Sequence, residues 1–438
     1  MGVGGSFNLI NASPYNWTRT GFNQYQMVSW DFPERLNSGE VYGGYVEYSD
    51  GVFSTLEDDY GDLTYSFDGA PNVHIFVRAE RYDEYASDTS MNIYVELTKS
   101  SGDVARTDLG FRHDGSVDYV VVGVQDNVYG NDAPVDWMHS SLAVIGDMTL
   151  SQVSIAGSHD SGMAVDNGGT FFASDANAKT QVLSINDQLT KGTRWFDIRP
   201  VVSDGRWVCG HYGYTGSFVK WQGRNGQYID EVVDQVNSFL ATNKELVVLE
   251  ISHGLQTDDN YRDLTSDEWN DALDQFLKLK NVYVLKQGDD FFNLTMNDFI
   301  GSQGAVILIS RDYEPPSSYV QKGVYGTSSF PYGGSYADKG TPQEVIDDQI
   351  NKLKTWREGR PDAKYFQLSW TVTLQGADNV FSTILDGANS IKGTLAKNLI
   401  PVLSKTAVAN SMLIDYVIDK QVAVTAMASN YLYKTRYE

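Results

Sequence analysis

The chain has 438 residues, 41% hydrophobic and 21% charged, with a formal net charge of −24. This composition excludes a disordered chain, and the length calls for two or three domains, or one small domain and a barrel. The acidic balance argues against broad electrostatic binding to nucleic acid or to anionic membranes.

A single cysteine, Cys209, excludes an intramolecular disulfide and a cysteine metal cluster. No apolar run reaches the ~18 residues of a membrane-spanning helix. The opening MGVGGSFNLINAS lacks the basic and apolar segments of a signal peptide.

Residues 1–137 read as β structure. The runs GGYVEYSDG, LTYSFDG, VHIFVRAE, MNIYVELTKSSGD and DYVVVGVQDN alternate apolar and polar residues, broken at short intervals by Gly, Asp, Asn and Ser. That spacing predicts an all-β sandwich. Tyr15, Trp17, Tyr25, Trp30, Tyr42, Tyr45 and Tyr48 crowd this part. They fit sheet packing with partly exposed aromatics, or a face that targets a glycan or a membrane.

From about Trp137 short apolar runs alternate with helix-like stretches. QVSIAG is followed by a polar loop and a helical ANAKTQVLSINDQLTKG, then by TRWFDIRP and WVCG. The stretch YIDEVVDQVNSFLATNK places Val232, Val233, Val236, Phe239 and Leu240 on one helical face. ELVVLEIS, AVILIS, KYFQLSW, SMLIDYV and VAVTAMAS complete eight candidate strands. Their nearly unbroken apolar character suits parallel strands buried on both faces. The repeat predicts an α/β fold for 138–438, a (β/α)₈ TIM barrel.

Two Gly-, Tyr-, Ser- and Pro-rich stretches, HYGYTGSFVKWQGRNGQY and DYEPPSSYVQKGVYGTSSFPYGGSYADKG, read as surface loops. Their aromatics, Tyr214, Phe218, Trp221, Tyr319, Tyr325 and Phe330, are candidates either for a lipid-facing rim or for simple loop packing.

In such a barrel the active site lies at the C-terminal strand ends. The runs deliver there His159 and Asp160, Asp197 and Arg199, His211, Glu250, Ser252 and His253, Arg311 and Asp312, Trp370, and Asp415. Two histidines suit a base and acid pair, because their intrinsic pKa lies near working pH. Arginine offers a planar cationic fork matched to phosphate oxygens. There is no G-x-S-x-G elbow, Walker loop or H-E-x-x-H helix. This set points to phosphoryl transfer without a protein nucleophile.

The segments SIAGSHDSGM, INDQLTKGTRWFDIRP and WVCGHYG, in that order and spacing, resemble the X-region of bacterial-type phosphatidylinositol-specific phospholipase C. The likeness is densest over about 150–215, extends across 140–438 and does not cover 1–137. It implies a distorted TIM barrel in which the inositol 2-hydroxyl attacks its own 1-phosphate. Diacylglycerol leaves, and a 1,2-cyclic inositol phosphate forms, which water opens more slowly.

By the resemblance His159 is the general base and His211 the general acid. Asp160 supports the acid, Asp415 pairs with the base, and Arg199 holds a non-bridging phosphate oxygen with Asp197 beside it. Arg311 and Asp338 correspond to inositol-binding residues, and Trp370 is a further substrate-binding candidate. The family's fourth-strand lysine is replaced by Ser252, and its ring-stacking tyrosine by Gly340 in YADKG. Calcium-dependent relatives carry a carboxylate where this chain has Arg199, so no metal or other cofactor is expected. Calcium, with Glu250 turned to the site, is the alternative.

The resemblance further implies a phospholipid substrate at a membrane interface, no nucleic-acid partner, a monomer, and secretion to the cell exterior. Two other readings stay open. One is a related phosphodiesterase acting on another phospholipid, such as a lysophospholipid, or on a sugar phosphate. The other is a catalytically silent barrel used as a binding module.

Overall fold

The structure is a computed structural model that describes residues 3–49, 58–81, 91–125, 127–216, 220–359, 363–374 and 383–437. The chain forms two compact units. One comprises Met1–Ala133, Ser390–Leu403 and Met427–Glu438, and the other Pro134–Asn389 and Ser404–Ala426. The first unit therefore takes in two late segments that the sequence reading placed with the barrel.

The first unit contains a five-stranded sheet and a six-stranded sheet. Tyr60–Phe67 and His74–Arg81 alternate half-buried and buried residues along their whole length. That period of two is the one the sequence displays. One hydrophobic cluster draws on both sheets, with Phe7, Tyr48 and Tyr119 from the first and Trp17, Leu63 and Ile75 from the second. Most pairings are antiparallel, but Val3–Ala12 runs parallel to Ser116–Val124. Of the crowded aromatics, Trp17, Trp30 and Tyr48 are core, while Tyr25 and Tyr45 are exposed. Buried Asp118 accepts from Asn8 Nδ2 at 2.6 Å and from the Lys397 backbone N–H at 3.4 Å. These bonds tie the segment around Leu395–Leu399 to this unit.

The second unit is built on eight strands. They are β1 (Ile155–Ser158), β2 (Trp195–Ile198), β3 (Leu246–Ile251), β4 (Ala305–Ser310), β5 (Val324–Gly326), β6 (Tyr332–Gly333), β7 (Tyr365–Trp370) and β8 (Ser411–Ile414). Their order is β5-β4-β3-β2-β1-β8-β7-β6, so the last strand pairs with the first. Every pairing is parallel. The result is a curled eight-stranded sheet, and among the described residues no ladder joins β5 to β6. β3, β4 and β7 are buried at every position, which is why their sequences are apolar without alternation.

Two of the expected strands are something else. WVCG lies in Arg206–Tyr214, the middle of an antiparallel excursion between Pro200–Ser203 and Trp221–Tyr228. VAVTAMAS lies in the helix Gln421–Tyr437. A short apolar run does not separate a buried strand from a buried helix, and this one continues for 17 residues without Gly or Pro. The strands that complete the set, β5 and β6, have only three and two residues and sit inside the stretch read as a loop. Within that stretch Tyr325 and Phe330 are core residues. Phe330 packs with Trp195, Phe291, Phe292 and Tyr365 rather than on a rim. Helix Ile229–Leu240 buries the five residues that its spacing predicts.

Candidate active site

The polar residues of the site stand on the strands and just beyond their C-terminal ends. Glu250 on β3 accepts from Trp195 Nε1 at 2.9 Å, Arg311 Nη1 at 2.6 Å and Gln367 Nε2 at 2.5 Å. Arg311 also lies over the Tyr332 ring, 4.5 Å from its centroid. Glu250 is thus a satisfied interior carboxylate and Arg311 its counter-ion. Neither lines the cavities described below.

Asp197 on β2 is the register partner of Glu250, and Arg199 directly follows the strand. Asp197 Oδ2 accepts from Arg199 Nε at 3.1 Å and Nη2 at 2.9 Å, and from the Asp160 backbone N–H at 3.0 Å. Its Oδ1 accepts from Ser252 Oγ at 3.0 Å. Burial alone pushes this carboxyl up, but the Arg199 charge and these donors hold it well below the ordinary range. Asp197 is therefore ionised and fixes Arg199 in place. Arg199 Nη2 reaches His159 Nε2 at 2.8 Å and Tyr336 Oη at 3.1 Å, and Nη1 lies 3.6 Å from Asp160.

His159 follows β1 and Asp415 follows β8, its neighbour in the sheet; His159 Nδ1 and Asp415 Oδ1 are 2.7 Å apart. Gln181 joins the two strand ends. Its Nε2 donates to the carbonyls of His159 and Ile414, and its Oε1 accepts from Val417 N–H. Burial lowers the basicity of His159, but the Asp415 carboxylate more than offsets it, and its pKa lies above the ordinary histidine value.

His211 arrives from the antiparallel excursion, not from a barrel strand. Gly162 and Gly226 let that hairpin close on the loop after His159: a Cβ on Gly162 would sit 2.2 Å from Cys209 Sγ, and one on Gly226 2.2 Å from the Gly162 carbonyl. The two histidine rings are 6.3 Å apart at 78°. Desolvation, then the charges of Arg199 and His159, pull His211 down to about 3. Its Nδ1 lies 3.3 Å from Asp160 Oδ2, without hydrogen-bond alignment. Asp160 is fully buried with a left-handed φ of 41°, and burial raises its carboxyl to about 7 despite Arg199.

These groups face a cavity of about 400 Å³ lined by His159, Arg199, His211, Tyr336, Asp338 and Asp415, among others. An adjoining cavity of about 450 Å³ shares Arg199 and His253 with it and adds Tyr212, Trp221, Trp269 and Asp312. Of the sequence candidates, the structure brings together His159, Asp160, Asp197, Arg199, His211, Asp338 and Asp415. Trp370 is 2% exposed and lies apart from both cavities; its successors Thr371, Val372 and Thr373 line the first. Tyr336 was missed. It is the tyrosine of YADKG, and its ring meets His159 edge-on at 5.2 Å. Gln181 was missed too, whereas His253, which the sequence places at a strand end, lines both cavities.

Among the described residues no three His, Cys, Asp or Glu side chains converge as a metal-ligand set. None of the described helices is long and apolar enough to cross a membrane. Of the expected rim aromatics, Tyr214 is 62% exposed, Trp221 and Tyr319 are half-buried, and Phe218 lies outside the described residues. Among the described residues the most open aromatic pair is Phe171, 92% exposed, and Phe172, 63% exposed, in the loop after β1.

No family model matches the chain, and no curated protein matches it. Among solved structures it is similar to a phosphatidylinositol-specific phospholipase C of Staphylococcus aureus. That match has 17% identity and a TM-score of 0.49, and covers 67% of this chain and 97% of that one. The corresponding enzyme of Listeria monocytogenes matches at 15% identity and a TM-score of 0.47, over 68% and 99%. At these values the likeness assigns neither fold nor activity.

Proposed function

We propose that the second unit is a distorted TIM barrel. We read it as a phosphodiesterase of the phosphatidylinositol-specific phospholipase C type, acting on phosphatidylinositol or a GPI-type lipid. The observation that carries the reading is the chain Asp415–His159–Arg199, with His211 across the same cavity. Asp415 accepts from Nδ1–H and Arg199 donates to Nε2, so His159 is the Nδ1–H tautomer with a basic Nε2 turned to the cavity.

When a phosphodiester binds, Arg199 exchanges Nε2 for a non-bridging oxygen. Nε2 then takes the proton of the inositol 2-hydroxyl, that oxygen bonds to phosphorus, and the bond from phosphorus to the glycerol oxygen breaks. His211 donates the proton that the leaving alkoxide receives, so diacylglycerol and a cyclic diester are the products. Water then opens the ring with the two histidines reversed. His211 is neutral in the unliganded site because Arg199 and desolvation oppose its charge. The entering phosphate anion offsets Arg199 and lets His211 take up a proton.

The permanent charge of Arg199, held between Asp160, Asp197 and His159, supplies the electrostatic stabilisation that a metal provides elsewhere, so no cofactor is needed. Phe171, Phe172 and Tyr214 fit a lipid interface that an acidic protein approaches through apolar contact rather than charge. The first unit serves as a targeting domain for a membrane or glycan surface. The protein acts as a secreted monomer.

The test is product analysis by ³¹P NMR on phosphatidylinositol vesicles, with and without EDTA. A cyclic inositol phosphate formed at equal rates in both supports the reading. Phosphate products without a cyclic intermediate would overturn the mechanism. Activity lost to EDTA and restored by calcium would overturn the role of Arg199.

A further inference from the structure

His253 follows β3 and lines both cavities at their junction beside Arg199. Its backbone is left-handed, with φ 53°, and its N–H donates to Asp312 Oδ2 at 2.6 Å. This conformation costs a β-carbon residue energy, and the Asp312 bond holds it there. The effect is to turn the ring away from the strand and into the junction.

The direction of its side-chain hydrogen bonds follows from counting protons. Asp197 is ionised and only accepts. Ser252 has one hydroxyl proton, and it goes to Asp197 Oδ1 at 3.0 Å. The Ser252 oxygen can then only accept from His253 Nδ1, 2.7 Å away. His253 is therefore the Nδ1–H tautomer, and Nε2 carries a lone pair. Desolvation and the Arg199 charge keep the ring neutral.

We propose that His253 selects the head group: its Nε2 accepts a hydrogen bond from a ring hydroxyl of the bound substrate at the junction of the two cavities. This inference rests on the phosphodiesterase reading, and it makes Ser252 a positioning residue. An acceptor at this place demands a donor from the ligand. A cationic side chain here would instead present donors, so a neutral imidazole acceptor reverses the polarity of the contact. A ring whose hydroxyl here is removed or methylated leaves a desolvated acceptor unmatched.

Two measurements test it. The first is the ¹⁵N NMR tautomer of His253 at pH 7, with free myo-inositol titrated as probe. The expected result is a bare Nε2 whose shift moves on titration in the wild type, and a mixture of tautomers in Ser252→Ala. An Nε2–H tautomer, or no shift with inositol, would overturn the proposal whether or not the protein is a lipase.

The second is kcat/KM for soluble inositol phosphodiesters lacking, or methylated at, one ring hydroxyl other than the attacking one. Wild type should lose ten- to a hundredfold on one such analogue, mainly in KM. His253→Ala should treat that analogue and the parent alike, and His253→Asn, which tolerates the left-handed backbone, should recover part of the discrimination. Equal ranking of the analogues by wild type and His253→Ala would sink the idea. Absence of turnover on every inositol diester sinks the lipase reading alone and leaves the tautomer measurement to decide for His253.

Discussion

Nη2 of Arg199 lies 2.8 Å from Nε2 of His159, so the residue assigned to the phosphate also covers the nitrogen assigned as base. Phosphate binding and base exposure are thereby coupled: one hydrogen bond must be exchanged for the other. Replacing Arg199 by lysine keeps the charge but loses the fork that holds Asp197 and His159 together. We expect a loss of about 10²–10³-fold in kcat for Arg199→Lys on a soluble inositol phosphodiester. A variant within threefold of wild type would show that the guanidinium does not act on the reacting phosphate.

Asp415 raises the basicity of His159 and sets its tautomer. Removing that charge in Asp415→Asn lowers the His159 pKa. The acidic limb of the kcat/KM profile should therefore move to lower pH, while kcat falls roughly 10²-fold or more. A limb that stays in place would assign the base elsewhere.

His211 and Asp160 give stability opposite pH slopes. His211 falls from an ordinary 6.5 to about 3 on folding, so its contribution is complete above pH 6.5 and is lost as pH falls toward 3. Asp160 rises from 3.8 to about 7, so its contribution is complete below pH 3.8 and is lost as pH rises through 7. Thermal melts from pH 4 to 8 should show His211→Asn losing less stability than wild type on acidification. Asp160→Asn should lose less on going from pH 5 to 8. Parallel curves for all three proteins would contradict the burial of both groups.

Glu250 holds Arg311, Trp195 and Gln367 beneath the site. Glu250→Gln leaves Arg311 without its counter-ion and should cost on the order of 3 kcal/mol of stability. Turnover of a soluble substrate at 25 °C should change less than threefold. A large activity loss with unchanged denaturant midpoint would instead mark Glu250 as part of the chemistry, as a calcium ligand would be.

Phe171 and Phe172 meet edge-on at 5.1 Å and are otherwise open to solvent. The double alanine variant should bind zwitterionic vesicles at least tenfold more weakly, since each ring removes apolar area from the interface. Its rate on a soluble diester should be unchanged. Equal loss on both substrates would place the pair in folding rather than docking.

Residues read from local pattern and those that needed the fold divide along a physical line. His159, Arg199 and His211 stand in short segments whose small residues and apolar runs are local properties, and these were legible. Tyr336 was not, because it approaches Arg199 across 137 residues of chain and YADKG resembles any polar loop. Gln181 was not, because a glutamine between two helical stretches carries no sign that it joins β1 to β8. The strand count came out at eight with two wrong members, since WVCG and VAVTAMAS have strand-like composition while β5 and β6 are too short to show a period.

The amino-acid order therefore specified that a parallel, buried sheet follows a β-rich region, and that histidines and an arginine stand near its strand ends. It did so through periodicity and residue type, which act over a few residues. It left open which nitrogen carries a proton, which carboxylate is consumed and which is free, and that Glu250 serves Arg311 while Asp197 serves Arg199. Those answers depend on distances between side chains far apart in sequence. Parallel register sets them, bringing Asp197 on β2 level with Glu250 on β3, and no local pattern encodes that pairing.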